Sequence, residues 1–257
     1  MVTHVHATEE GPLDPKTIRL QSNLNRVRDR VATACERAGR SPNEVVLVGV
    51  TKYVSAADTA RLLDCGVVDL GESRPQLLWE KAATLANLGL HARWHMIGHL
   101  QRNKLRKTLP LVSLVHSLDS LRLAEAISEE AAKIGQPCQA LIEVNLTGDH
   151  GRSGVSFHAL QELADYVAAS DWIQLRGLMG MAEKPEANDN SPRKQFARLR
   201  EARDQLQPFF AHEACSAGQA PPGELSIGMS GDFEDAILEG ATLIRIGSVL
   251  WEGLDDD

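Results

Sequence analysis

The chain has 257 residues, 43% of them hydrophobic, and a formal net charge of −8 at pH 7. That is enough chain for one large α/β barrel or two small domains, and the negative balance removes an overall electrostatic case for nucleic acid. No apolar stretch is long enough to cross a membrane, the polar start MVTHVHATEEGPLD lacks a signal core, and the scattered cysteines Cys35, Cys65, Cys138 and Cys215 have no CxxC spacing. They read as reduced thiols of a cytoplasmic protein.

Residues 1–15 read as a flexible N-terminal segment. Leu20, Leu24, Val27, Val31, Ala34 and Ala38 then repeat at helical spacing, which predicts an amphipathic helix over 16–38 closed by Gly39. After it, short apolar runs alternate with helical patterns. The predicted strands are VVLVGV (45–50), VVDL (67–70), WHMIG (94–98), LVSLVH (111–116), QALIEVNL (139–146), WIQLRGLM (172–179), ELSIG (224–228) and TLIRIG (242–247). Eight such alternations predict a single (β/α)8 TIM barrel with an extra N-terminal helix, one domain from 16 to 257. Periodicity alone leaves a doubly wound open sheet as the alternative. The basic cluster RNKLRK (102–107) reads as a solvated helix face or a small-anion site, and EKPEANDNSP (183–192) and SAGQAPPG (216–223) read as loops.

In a (β/α)8 barrel the active site lies at the C-terminal ends of the strands. The first strand ends on Lys52, either a lysine snorkelling to solvent or a desolvated amine able to form a Schiff base with a carbonyl compound. The later ends collect Glu72 and Ser73 in GES, His95, Asn145, Met179, Ser230 and the RIGS run with Arg245, Gly247 and Ser248. His95 reads first as a packed core histidine, and Asn145 equally as a residue that satisfies strand-end backbone. Small residues and the hydroxyls of Ser230 and Ser248 after the seventh and eighth strands suit a phosphate, unless they simply make tight turns. Arg245 lies inside an apolar strand, and a buried arginine needs an acceptor: a carboxylate such as Glu72, or a ring nitrogen with a free lone pair.

VGVTK, GES, WHMIGHLQRNK, EVN, GLMGM, LSIGMSGDFEDAI and RIGSVLWEG together resemble the motif set of the pyridoxal phosphate homeostasis proteins, the YggS/PROSC family. The likeness runs from about residue 17 to 253. It implies the barrel shared with the N-terminal domain of alanine racemase and with eukaryotic ornithine decarboxylase, and pyridoxal 5′-phosphate (PLP) as cofactor. Carried over by motif, Lys52 forms the internal aldimine, Ser230, Gly247 and Ser248 hold the phosphate, and Arg245 faces the pyridine nitrogen. Ser73, His95, Asn145 and Met179 complete the implied cofactor site. The usual GEN is GES here, so Ser73 replaces an asparagine, and Ser248 stands where threonine is common. A cation beside the ring nitrogen weakens the cofactor as an electron sink, and this chain ends too soon after its last strand for the C-terminal β-domain of the related enzymes. The resemblance therefore implies a monomeric protein that buffers PLP and delivers it to apo-enzymes, with little or no catalysis. A single-domain amino-acid racemase or decarboxylase is the second reading, and a Schiff-base aldolase without PLP the third.

Overall fold

The computed structural model describes residues 14–149, 151–183, 192–210 and 223–254. Residues 1–13 of the expected N-terminal segment, Cys215, and most of the loops expected at 183–192 and 216–223 lie outside the described residues.

Helix α1 (Pro15–Ala38) starts where the Asp14 carboxylate accepts hydrogen bonds from the Lys16 and Thr17 amides, and it ends at Gly39 with φ 65°. Its buried stripe is Leu20, Leu24, Val27, Val31 and Ala34, as the spacing predicts. The strands are β1 (Val46–Val50), β2 (Asp69–Glu72), β3 (Arg93–Met96), β4 (Val112–Leu118), β5 (Cys138–Val144), β6 (Ile173–Gly180), β7 (Glu224–Met229) and β8 (Leu243–Ile246). They pair in chain order and close, β8 hydrogen-bonding to β1, with every pair parallel. This excludes the doubly wound alternative. Between the strands run α2 (Ala56–Asp64), α3 (Pro75–Asn87), α4 (Leu105–Thr108), α5 (Leu121–Ile134), α6 (Leu160–Ala168), α7 (Pro192–Gln205) and α8 (Phe233–Leu238).

The helix expected as an addition at the N-terminus completes the ring. Helix α1 packs between α8 and α2, and Asn23 Nδ2 donates to the carbonyls of Leu250 and Glu252 at 2.9 Å each, tying α1 to the segment after β8. A strand's side chains alternate between faces, and β2 shows what that achieves. Leu70 and Glu72 point outward, the former into the apolar layer between barrel and helices, the latter to Lys81 on α3. Asp69 points into the barrel, where it meets His95. Inside the barrel Val48, Leu114, Leu141, Met179 and Leu243 form a small apolar cluster of their own, and polar groups lie above and beside it.

The basic cluster at 102–107 falls on a 3₁₀ turn and the short α4. Arg102, Arg106 and Lys107 are exposed, and the amines of Lys104 and Lys107 lie 5.8 and 5.3 Å from the Trp79 ring centroid. The cluster is a solvated face with two cations over an aromatic ring.

Candidate functional site

Lys52 follows β1 in a turn closed by a hydrogen bond from the Val54 amide to the Thr51 carbonyl, 3.1 Å. The turn is held from outside the barrel. Lys81 Nζ donates to the Thr51 carbonyl at 2.5 Å and to Glu72 Oε2 at 2.8 Å, and Arg74 donates to the Lys52 carbonyl at 3.3 Å. Lys81 is thus the buried, paired lysine of this corner. Lys52 is half-buried; its amine lies 4.9 Å from the Tyr53 ring centroid and has no carboxylate partner among the described residues.

Strand β8 is the other neighbour of β1, with Val48 opposite Arg245 and Gly49 opposite Ile246. Gly247 therefore packs beside Val50, two residues before Lys52, where an added Cβ would meet Val50 Cβ at 3.4 Å. The Gly247 amide donates to Ser230 Oγ at 3.2 Å, which joins the loop after β7 to the loop after β8. Ser230 is half-buried and Ser248 exposed. Below them Gly228, at φ +87°, lets the chain pass so close to α8 that a Cβ would stand 2.9 Å from Phe233 Cα. Asp232 closes this loop by accepting from the Met229 amide at 2.6 Å. Burial raises its carboxyl above the usual range, against that hydrogen bond and the nearby Arg245 charge. So Lys52, Ser230, Gly247 and Ser248, read from strand ends, do converge on one side of the barrel mouth.

Arg245 lies one layer beneath, 4% exposed. Its Nη1 donates to the Ser226 carbonyl at 2.8 Å and to Ser226 Oγ at 2.7 Å, and its Nη2 to the Gly180 carbonyl at 3.0 Å. Glu72, considered as its partner from sequence, is not: it faces away from the barrel interior and is satisfied by Lys81, the Ser73 amide at 2.8 Å and the Arg74 amide at 3.3 Å. Arg245 is therefore anchored by neutral acceptors, and burial pulls its guanidinium down to about 10 although Asp232 and Glu143 oppose this from a distance. Among the described residues its Nε–H and the second Nη2 hydrogen have no acceptor.

The other expected residues are placed differently. His95 lies inside the barrel with both ring nitrogens engaged, Nε2 with Asp69 Oδ1 at 3.0 Å and Nδ1 with His116 Nε2 at 2.9 Å; it is the packed histidine and has no nitrogen left for a ligand. Met179 is 1% exposed within the inner apolar cluster, beneath the mouth. The amide of Asn145 is used on its own loop: Nδ2 donates to the Asp149 carbonyl at 2.7 Å, and Oδ1 accepts from the Thr147 and Gly148 amides at 3.1 Å each. Ser73 packs against the next loop so tightly that a Cβ on Gly98 would lie 2.4 Å from Ser73 O. Sequence reasoning passed over Glu143, buried on β5, which accepts from Ser153 Oγ at 2.5 Å. Burial raises its carboxyl, against that hydrogen bond. A cavity of about 140 Å³ at this strand end is lined by Glu143, Asn145, Arg152, Ser153 and Met181. Another of about 450 Å³ lies between the loops after β3 and β4, beside His99, Asp119 and Arg122.

Residues 22–254 match the family model for the alanine racemase N-terminal domain. A pyridoxal phosphate homeostasis protein of Aquifex aeolicus (strain VF5) is 40% identical over 228 residues, covering 89% of this chain and 95% of the relative. One of Escherichia coli (strain K12) is 33% identical, covering 91% and 96%. Among solved structures, PipY of Synechococcus elongatus PCC7942 with PLP bound is similar at a TM-score of 0.72 and 28% identity, over 90% of this chain and 99% of that one. Sequence motifs, closed barrel and near full-length similarity agree: the chain belongs to the pyridoxal phosphate homeostasis proteins, a family built on the barrel of the alanine racemase N-terminal domain.

Proposed function

We propose that this protein binds PLP at the barrel mouth, holds it as a Schiff base on Lys52, and hands it to apo-enzymes, with little or no turnover of its own. The cofactor brings an aldehyde for an amine, a phosphate and a pyridine nitrogen, and the residues present suit each of these. Lys52 supplies the amine. Ser230 and Ser248 offer hydroxyl groups to the phosphate, and Gly247, whose amide holds Ser230 Oγ in place, allows close approach. Arg245 offers its remaining N–H groups to the ring nitrogen. Because a guanidinium can only donate, it keeps that nitrogen unprotonated, which suits storage better than carbanion chemistry.

The observation that carries the reading is Lys52: an amine without a carboxylate partner among the described residues, set beside the joined β7 and β8 loops, while the neighbouring Lys81 bears the structural ion pair. In this reading the working unit is the barrel over residues 16–257, as a monomer in the cytoplasm. The test is to mix purified protein with PLP, reduce with borohydride, digest with trypsin and locate the adduct by mass spectrometry. The adduct belongs on Lys52; an adduct on Lys81 or Lys104 alone would defeat the assignment. Carrier and racemase separate on two rates, deuterium exchange into alanine and reactivation of a PLP-dependent apo-enzyme. The carrier reactivates and exchanges little faster than free PLP.

A further inference from the structure

A continuous line of buried polar side chains crosses the barrel. Arg245 Nη1 meets Ser226 Oγ at 2.7 Å, Ser226 Oγ meets His116 Nδ1 at 2.9 Å, His116 Nε2 meets His95 Nδ1 at 2.9 Å, and His95 Nε2 meets Asp69 Oδ1 at 3.0 Å. Asp69 is held in turn by Arg93, whose Nε and Nη2 donate to its two oxygens at 2.8 and 2.6 Å. The residues of this line come from β2, β3, β4, β7 and β8; Ser226 and His116 are fully buried, Arg245, His95 and Asp69 nearly so, and Arg93 lies largely in solvent.

The two ends fix the direction of every bond between them. A guanidinium only donates and a carboxylate only accepts. With both histidines neutral, Arg245 donates to Ser226, Ser226 to His116 Nδ1, His116 Nε2–H to His95 Nδ1, and His95 Nε2–H to Asp69. One added proton on His95 makes both its nitrogens donors. His116 must then accept at Nε2, carry its hydrogen on Nδ1 and donate to Ser226 Oγ. The Ser226 hydroxyl now receives from Arg245 and His116 together and turns its own hydrogen away.

We propose that Ser226, His116 and His95 are positioning residues for Arg245: a single proton beside Asp69 reverses the line, resets the Ser226 hydroxyl that anchors the guanidinium, and thereby tunes the grip of Arg245 on the cofactor ring nitrogen. The inference rests on the placement of Arg245 given above. His116 remains neutral in both states, since burial, then the proximity of His95 and Arg245, hold its pKa well below the usual value. Geometry assigns the added proton to His95, the histidine whose Nε2 lies 3.0 Å from Asp69 Oδ1. The other charged groups facing the line are Arg93 on Asp69, and Glu143 and Asp232, which act on Arg245 from β5 and from the loop after β7. Among the described residues, β1 and β6 set Val48 and Met179 of the inner apolar cluster beside it.

The test has two arms. In the protein without cofactor, ¹⁵N spectra of the histidine side chains should show His116 carrying its hydrogen on Nε2 at high pH and on Nδ1 once His95 is protonated, with one shared midpoint. A His116 tautomer that ignores the His95 titration, or a His95 that stays neutral until the protein unfolds, overturns the proposal. In the second arm PLP affinity is measured across the same pH range. The wild type should change with that midpoint, and His95→Gln should not. Ser226→Ala should bind PLP about tenfold more weakly and also lose the pH response. Should Ser226→Ala fail to fold, His116→Gln carries the same expectation of a lost response. A tautomer switch with pH-independent PLP affinity overturns the tuning, whereas a wild type that binds no PLP overturns the reading of the site on which it rests, so the two failures are distinguishable.

Discussion

Replacing Lys81 by methionine tests whether the corner that carries Lys52 is built as described. The Lys81 and Glu72 side chains are 6% and 0% exposed, and their atoms approach to 2.8 Å. Methionine keeps the apolar stem and removes the ammonium, so Glu72 is left charged in the layer between β2 and α3 and the Thr51 carbonyl loses a donor. Breaking a buried pair from one side costs about 3–5 kcal/mol, which for a chain of this size lowers the melting temperature by about 6–20 °C. Glu72→Gln in the same background removes the stranded charge while keeping an acceptor for the Ser73 amide, and should recover most of the loss. Chemical denaturation of the four proteins of this cycle gives the coupling directly. A Lys81→Met protein within about 1 kcal/mol of wild type would mean that the pair is solvated and that the Lys52 turn is held by something else. The same variant should also bind PLP more weakly, because the turn that aims Lys52 is hung from Lys81.

Lys52→Ala should abolish the borohydride-trapped adduct and leave the melting temperature close to wild type, since the residue is half-buried and unpaired with acid; a comparable loss of stability would contradict its placement. Ser230→Ala should weaken PLP binding by roughly 1–3 kcal/mol, the range for hydrogen bonds to a charged group, and pyridoxal without its phosphate should bind wild type much more weakly; equal affinity for the two vitamers would remove the phosphate site. Asp69 has its carboxyl held at about 2: burial pushes it up, and the hydrogen bonds from Arg93 and His95 outweigh that. A depressed carboxylate stabilises above its unfolded pKa and ceases to do so as pH falls, so Asp69→Asn should cost about 2 kcal/mol at neutral pH and flatten the stability curve between about pH 4 and pH 2. Cys138, whose thiol burial raises to about 12, should resist alkylation in the native protein and react only on unfolding.

The barrel was legible because its strands are covered on both faces, so that each reads as an apolar run rather than an alternation. Where an outward position is polar, the reading slipped. β2 was expected at 67–70 and lies at Asp69–Glu72, because Gly71 and Glu72 break the apolar run. Glu72 has its counter-charge on α3, and nothing in PQLLWEKAATLAN marks Lys81 as the inward lysine of that helix. The mouth residues after β1, β7 and β8 were readable from motif and chain order alone, since a strand's last residue needs no knowledge of register to be placed. His95 and Met179 were not, because their height in the barrel depends on where each strand starts relative to its neighbours. One signal went unused. Asp69, His95, His116, Ser226 and Arg245 are polar residues inside otherwise apolar strands, and desolvating each is costly unless another pays in hydrogen bonds. Several such residues in different strands of one barrel imply that they meet.

Storage and turnover place opposite demands on water. An enzyme that stabilises a carbanion gains from a closed, dry site. A carrier must let a water or an incoming amine reach its covalent link, or the cofactor never leaves. The surroundings of Lys52 fit the second demand. Tyr53, whose ring lies against the amine, is 80% exposed; Met229 at the end of β7 is 37% exposed, and Ser248 is open to solvent. The arginine, by contrast, is nearly closed off: Arg245 and His95 are buried, Asp69 nearly so, and Ser226 and His116 between them are fully buried. In the function proposed above, the open end is where the aldehyde would be gained and lost, and the closed end is where the ring would be held. In that reading grip would be set from beneath, by largely buried groups, while exchange would proceed above. Tuning through Ser226 and His116, as proposed, would then leave the path by which the cofactor departs unchanged.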